Sequence, residues 1–218
     1  MRRFKGEVMR ATLLDACGSP IHGAASTAVT KGFAKVAASP NYENATDYLM
    51  RNANDEFEIN EQGLPLLRWW EVTIDFINVD PAWLSILTGV PLVLDDSSNV
   101  IGWRSRESVT SYFALEMWSA LAGAPCAAGT KPHAYQLLPY LINGRLGDVT
   151  VENAAATFTV VAHTHNNSLW GTGPYNIRLN GSSVASPLLS PIASTDHFHT
   201  EVSFQPPPSP TTGAVALP

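Results

Sequence analysis

Cysteine is nearly missing from this chain: Cys17 and Cys126 are the only two in 218 residues. One disulfide between them is conceivable, but a disulfide framework is excluded, and assembly in a reducing cytosol is the expectation. Charge is scarce as well. Asp, Glu, Lys and Arg supply 15% of the residues, against about 25% in an average protein. A surface so rich in Ser, Thr and Val is suited to burial against other chains. No apolar run approaches the roughly 18 residues of a membrane-spanning helix. The basic start MRRFKGEVMRATLLDAC lacks the apolar stretch of a signal peptide, because Glu7, Arg10 and Asp15 interrupt it. The chain therefore reads as soluble and unexported.

Catalytic signatures are missing too. GTKPH lacks the spacing of a phosphate-binding loop, WGTG offers Gly-x-Gly without a third glycine, and no G-x-S-x-G elbow occurs. There are no tandem repeats. These gaps point to a non-enzyme with no cofactor. The net charge of −6 is also uneven: Arg2, Arg3, Lys5 and Arg10 against Glu7 give the first ten residues +3, leaving −9 for the remainder. An acidic body argues against a nucleic-acid-binding surface, because phosphate is repelled. It is compatible with letting nucleic acid pass without sticking.

What the chain does have is apolar content, 45%, arranged with strand periodicity. ASTAVTKGFAKVAA (Ala25–Ala38) alternates well enough for one strand, with Gly32 marking a bulge. TDYLMRNANDEFEINEQ reads as a hairpin turning at Asn52–Asp55. In WWEVTIDFINV, Trp70, Val72, Ile74 and Phe76 share one face and Glu71, Thr73 and Asp75 the other. The period then changes. Asp80 is an N-cap, Pro81 suits N1, Trp83, Leu84 and Leu87 have helical spacing, and Gly89 is the C′ residue of a two-turn helix that needs the sheet to persist. Ser108–Leu121 is a strand apolar on both faces and so covered on both. Pro139 puts the AYQLLPYLIN strand at an edge or a bulge. Strands follow in GDVTVEN, AAATFTVVAHTHNN and HFHTEVSFQ. The expected class is mostly β: a sandwich or barrel-forming sheet with one short packed helix and extended terminal arms. The divisions are an N-terminal arm at 1–24, a β-domain at 25–205 and a Pro-rich tail at 206–218.

Two H-x-H pairs, His163/His165 and His197/His199, are the weak candidates for a metal site. They would supply four imidazoles if their strands paired. Closed zinc sites usually recruit Cys or carboxylates too, and none has ligand spacing here, so strand-end surface histidines are the expected reading. Asp55, Glu56, Glu58 and Glu61 offer carboxylates for acid–base work, but alternation accounts for Glu56 and Glu58 as the solvated face of a hairpin. The cations Arg2, Arg3, Lys5 and Arg10 are expected to bridge to an acidic surface of a neighbouring subunit. Trp69 or Trp70 must face outward on its strand, a candidate interface anchor.

From Arg51 to Tyr175 the ordered set RNAN, VDP-x-x-L-x-x-L-T-G, ALE-x-W, GRLGD-x-T-x-EN-x-A-x-x-F and WGTGPY resembles the major tail (tail tube) proteins of long-tailed bacteriophages, particularly those of actinobacteria. The termini carry no such match. The resemblance implies a virion structural protein forming homohexameric rings that stack into a hollow tube. Strands of each subunit would close a barrel around the lumen, with a helix packed outside. It implies a tape measure protein in the lumen, tip and terminator proteins at the ends, genomic DNA in transit during ejection, and no membrane. The protein would sit in the host cytoplasm before assembly and in the virion tail after it. Trp70, Asp80, Pro81, Gly89, Trp170, Gly171 and Gly173 then become fold or interface positions. Some relatives add an immunoglobulin-like domain at the C-terminus; the Pro-rich tail here carries none, so decoration of the tube is not expected. The alternatives are a tail terminator or injection-system tube, a metal-dependent β-sandwich enzyme using the four histidines, and a glycan-binding module using exposed tryptophans.

Overall fold

The computed structural model describes every residue except 1–3, 79, 108, 122, 124–125, 127–130, 151–156 and 218. Arg2 and Arg3, and the Glu-Asn of the GRLGD-x-T-x-EN motif, lie outside the described residues. The elements are β1 (Phe4–Leu13), β2 (Gly23–Thr30), β3 (Phe33–Glu43), β4 (Tyr48–Arg51), β5 (Phe57–Glu61), β6 (Leu66–Phe76), α1 (Pro81–Thr88), β7 (Leu92–Leu94), β8 (Val100–Trp103), β9 (Tyr112–Leu121), β10 (His133–Thr150), β11 (Thr157–Thr164), β12 (Arg178–Leu179), β13 (Ala185–Ser186), β14 (His199–Ser203) and β15 (Val215–Leu217). The protein is mostly β, its sheets are antiparallel, and it has one short helix among the described residues.

Nine strands form the main sheet in the order β15-β2-β1-β9-β10-β11-β6-β3, with β14 also paired to β10. β2 and β3 lie near opposite ends of that order, yet only Lys31 and Gly32 separate them. Three Cα steps reach about 11 Å, so the sheet must be rolled until its ends meet. Gly6 on β1 permits that meeting: a Cβ there would sit 2.9 Å from Cε2 of Phe33 on β3.

Inside the roll, the alternating faces of β1, β6, β9, β10 and β11 converge. Met9, Ile74, Phe76, Phe113, Leu115 and Leu138 are buried there around Trp83, Leu84 and Leu87 of α1. Each such side chain contributes about 1.5–3 kcal/mol by leaving water. The helix begins and ends as the sequence dictates. Asp80 is extended (φ −72°, ψ 134°) and its carboxylate accepts from Ala82 N; Pro81 opens the first turn; Gly89 is left-handed (φ 72°) and donates to Ser85 O. Gly144 on β10 lets the helix end approach, since a Cβ there would lie 1.7 Å from Leu87 O. α1 is thus packed into the core, as a two-turn helix needs.

The outer face of β1, β9 and β10 is covered as well. Val8, Trp118, Tyr135 and Leu137 pack there against Trp170, Ile177, Leu188 and Ile192 of the long connection after β11. This second layer is why β9 is apolar on both faces.

Three expectations need correction. Residues 4–13 are not an arm but a central strand, between β2 and β9, with Val8, Met9 and Ala11 buried. Burial of those three outweighs the charged look of the flanking residues. Ala25–Ala38 is not one strand: Lys31–Gly32 divides it into β2 and β3, whose partners differ. Gly32 is a close-approach position at that link, because a Cβ would stand 2.3 Å from Asn78 O. Of the two places expected for Pro139, the structure shows the bulge: it sits between Leu138 and Leu141 in the β9 pairing, inside a central strand. The C-terminal tail is strapped to the domain: β15 pairs with β2, Thr211 exchanges two hydrogen bonds with the Val29 backbone, and Leu217 is buried.

Candidate functional site

The element that leaves the domain is internal. β6 parts from β11 after Glu71, opposite His163, while β3 accompanies it outward to the Glu43–Leu66 pair. β4 and β5 form a separate hairpin beyond, with the turn at Asn52–Asp55 as read from the sequence: Asn52 Oδ1 accepts from the Asn54 and Glu56 amides, and Asp55 is left-handed (φ 65°). Every residue of β4 and β5 is exposed. Tyr48 is 65%, Met50 61% and Phe57 51% exposed, and Leu64 and Leu66 at the root reach 84% and 67%. Tyr48, Met50 and Ile59 lie on one face together with Glu61, by register and period, while Phe57 pairs with Arg51 beyond a bulge and lies 4.1 Å under its guanidinium. Glu56 and Glu58 are solvated, as alternation suggested, and Asp55 pairs with Arg51 at 2.9 Å. A two-stranded hairpin is marginal alone in water, and its apolar face is left exposed by the described residues of this chain.

WGTGPY has a different job. Trp170 is buried in the outer layer. Gly171 (φ 60°) and Gly173 (φ 80°) turn the chain back over it, and a Cβ on Gly173 would lie 2.6 Å from Trp170 Nε1. The turn delivers Tyr175 to Arg10: the guanidinium carbon lies 3.2 Å from the Tyr175 ring centroid, and the Tyr175 hydroxyl bonds Thr12 and Thr27 at 2.9 and 3.0 Å. Arg10 is therefore not a surface cation. It is buried in a bidentate pair with Glu116, and Tyr135 donates to the same carboxylate at 2.8 Å. Burial opposes the Arg10 charge, but the Glu116 carboxylate outweighs it and the pKa stands above its ordinary value. Burial, then the Glu116 charge, pushes the Tyr135 phenol well up. The sequence marked Arg10 as basic-arm material because its neighbours are charged. The signal that could have found the pair is Glu116 in the middle of an otherwise apolar strand.

The histidines are not brought together as four ligands. β14 pairs with β10, not with β11, and although the strand ends bring His197 near Thr164 and His165, the four rings do not gather around one point. His163 lies by Asn143 and Trp69; His197 Nδ1 is 2.7 Å from Thr164 Oγ1; His199 approaches Glu201 at 3.5 Å. Burial, then nearby His165, lowers the His197 pKa. Among the described residues, no group of three or more His, Cys, Asp and Glu could hold a metal ion. Cys17 and Cys126 are exposed free thiols. Trp70 is half-buried and stacks on Phe198, with ring centroids 5.7 Å apart. Asp80, Pro81 and Gly89 serve the helix, and Asp75 accepts from Thr159 at 3.0 Å. Lys5 is the one cation of the expected arm that is described and exposed.

No protein-family model matches this chain, and no curated protein sequence matches it.

Proposed function

We propose that the chain is a structural subunit that assembles with copies of itself, as the tail tube protein of a long-tailed phage: homohexameric rings stacked into a hollow conduit, without catalysis or cofactor. The observation that carries the reading is the projecting hairpin, whose apolar face is exposed with no cover among the described residues. A second copy is an economical cover, since it is present wherever the first is made. The ordered motifs from Arg51 to Tyr175 support the tube form of that assembly, and the −6 charge suits a wall past which DNA moves without adhering. In that reading a tape measure protein occupies the lumen and terminator and tip proteins close the ends.

Negative-stain microscopy of the purified full chain tests it. Rings or tubes are expected; monodisperse monomers that persist at high concentration and across salt conditions would overturn the proposal.

A further inference from the structure

The projecting hairpin is acidic as well as apolar. Between residues 43 and 61 stand Glu43, Asp47, Asp55, Glu56, Glu58 and Glu61 against one cation, Arg51. Its complement lies at the other end of β3. Lys5, Lys31 and Lys35 are all exposed, and none has a carboxylate of the described residues within ion-pair distance. Two cavities of about 490 and 480 Å³ open between them and share Lys5 and Gly6 as a common wall. One is floored by the Pro207–Pro210 stretch; the other runs past Phe33, Val36 and Trp118. Two carboxylates stand nearby: Glu7, which lines the first cavity 3.1 Å from His133 Nδ1, and Asp75, which accepts from Thr159. The cleft is thus cationic at its rim and partly apolar within, the inverse of a hairpin that is acidic at its edges and apolar on one face.

The two surfaces cannot meet within one chain. β3 is continuous from Lys35 to Glu43, and eight extended residues hold them about 26 Å apart before the hairpin begins. They lie at opposite ends of one rigid strand pair, as the two halves of a head-to-tail contact do. We propose that the β4–β5 hairpin of one copy seats in the Lys5/Lys31/Lys35 cleft of the next, so that the contact repeats along the β3 direction. The inference rests on the self-assembly reading and names its stacking contact. Three lysines on a chain of net charge −6 make a poor site for nucleic acid, whereas they match the carboxylates of the hairpin.

Charge exchange tests this. One full-length variant carries Lys5→Glu, Lys31→Glu and Lys35→Glu; a second carries Glu56→Lys, Glu58→Lys and Glu61→Lys; a third carries all six. All six positions are exposed, so circular dichroism should report the wild-type fold. Each half-exchange should raise the concentration needed for stacking by about tenfold or more, through like-charge juxtaposition, and the six-fold exchange should restore stacking. As a measurement free of variants, a carbodiimide applied to wild-type assemblies of mixed isotopic label should join Lys31 or Lys35 of one copy to Glu56, Glu58 or Glu61 of another. Half-exchange variants that stack normally, or wild-type assemblies that give no such intermolecular link, overturn this contact and leave the tube reading standing. So does tight binding of a single-stranded oligonucleotide that is lost with the lysines while stacking is kept. A wild type that never assembles overturns both.

Discussion

Arg10 and Glu116 meet as a closed fork inside the sheet, with Nε to Oε2 at 2.5 Å and Nη2 to Oε1 at 2.6 Å. Trp118 and Tyr175 flank the guanidinium, and Tyr135 satisfies the carboxylate from the next strand. A buried pair of this kind is costly to break from one side, because the survivor is left charged and unpaired. Arg10→Met alone should cost about 3–5 kcal/mol in urea denaturation. Arg10→Met combined with Glu116→Leu should recover most of that loss, as apolar groups replacing both partners leave no orphan charge. A double variant as unstable as the two single losses added together would show that the pair is not an energetic unit.

That pair also shows where sequence reading reaches its limit here. The strands with clean alternation, β5 and β6, the doubly apolar β9 and the capped helix were legible because each is specified by neighbours in sequence. Val72, Ile74 and Phe76 occupy the core face expected of them. The place of β1 was not legible. Its flanking charges suggest an arm, and only the distant Glu116, Tyr135 and Tyr175 make Arg10 an interior residue. The division of Ala25–Ala38 into two strands was equally hidden. Local alternation is the same whether the chain continues or crosses the mouth of a rolled sheet. The hairpin itself was readable, but its isolation from the domain was not, since nothing in its pattern says that the apolar face lacks a partner.

The two glycines of WGTGPY separate backbone strain from steric exclusion. Both have positive φ, 60° at Gly171 and 80° at Gly173, but a Cβ on Gly171 meets nothing within 4 Å while one on Gly173 meets Trp170 Nε1 at 2.6 Å. Gly171→Ala should therefore cost about 1–2 kcal/mol, the penalty of a left-handed L-residue. Gly173→Ala should cost more, because Trp170 must also shift in the outer layer and Tyr175 loses its position over Arg10. Thermal melts of the two variants give the comparison. Equal losses would mean that the contact with Trp170 yields freely, and that the turn is held by backbone conformation alone.

Asp80 uses its two carboxylate oxygens for two segments far apart in sequence. Oδ1 accepts from Ala82 N at 2.8 Å and caps α1; Oδ2 accepts from Gly213 N at 2.9 Å and holds the C-terminal strap. Asp80→Ala should cost about 1–2 kcal/mol from the cap and should also speed amide exchange through residues 211–217, where β15 pairs with β2. Asp80→Ser isolates the second effect. A serine hydroxyl can still cap the helix, so stability should largely return, but one oxygen cannot serve both partners and the strap should remain fast-exchanging. Hydrogen exchange at Gly213 and Leu217 is the measurement, because Leu217 N has its own acceptor in Ser26 Oγ at 2.9 Å. Protection at Gly213 unchanged in both variants would show that Ser26, Val29 and the β2 pairing hold the strap without help from the helix cap.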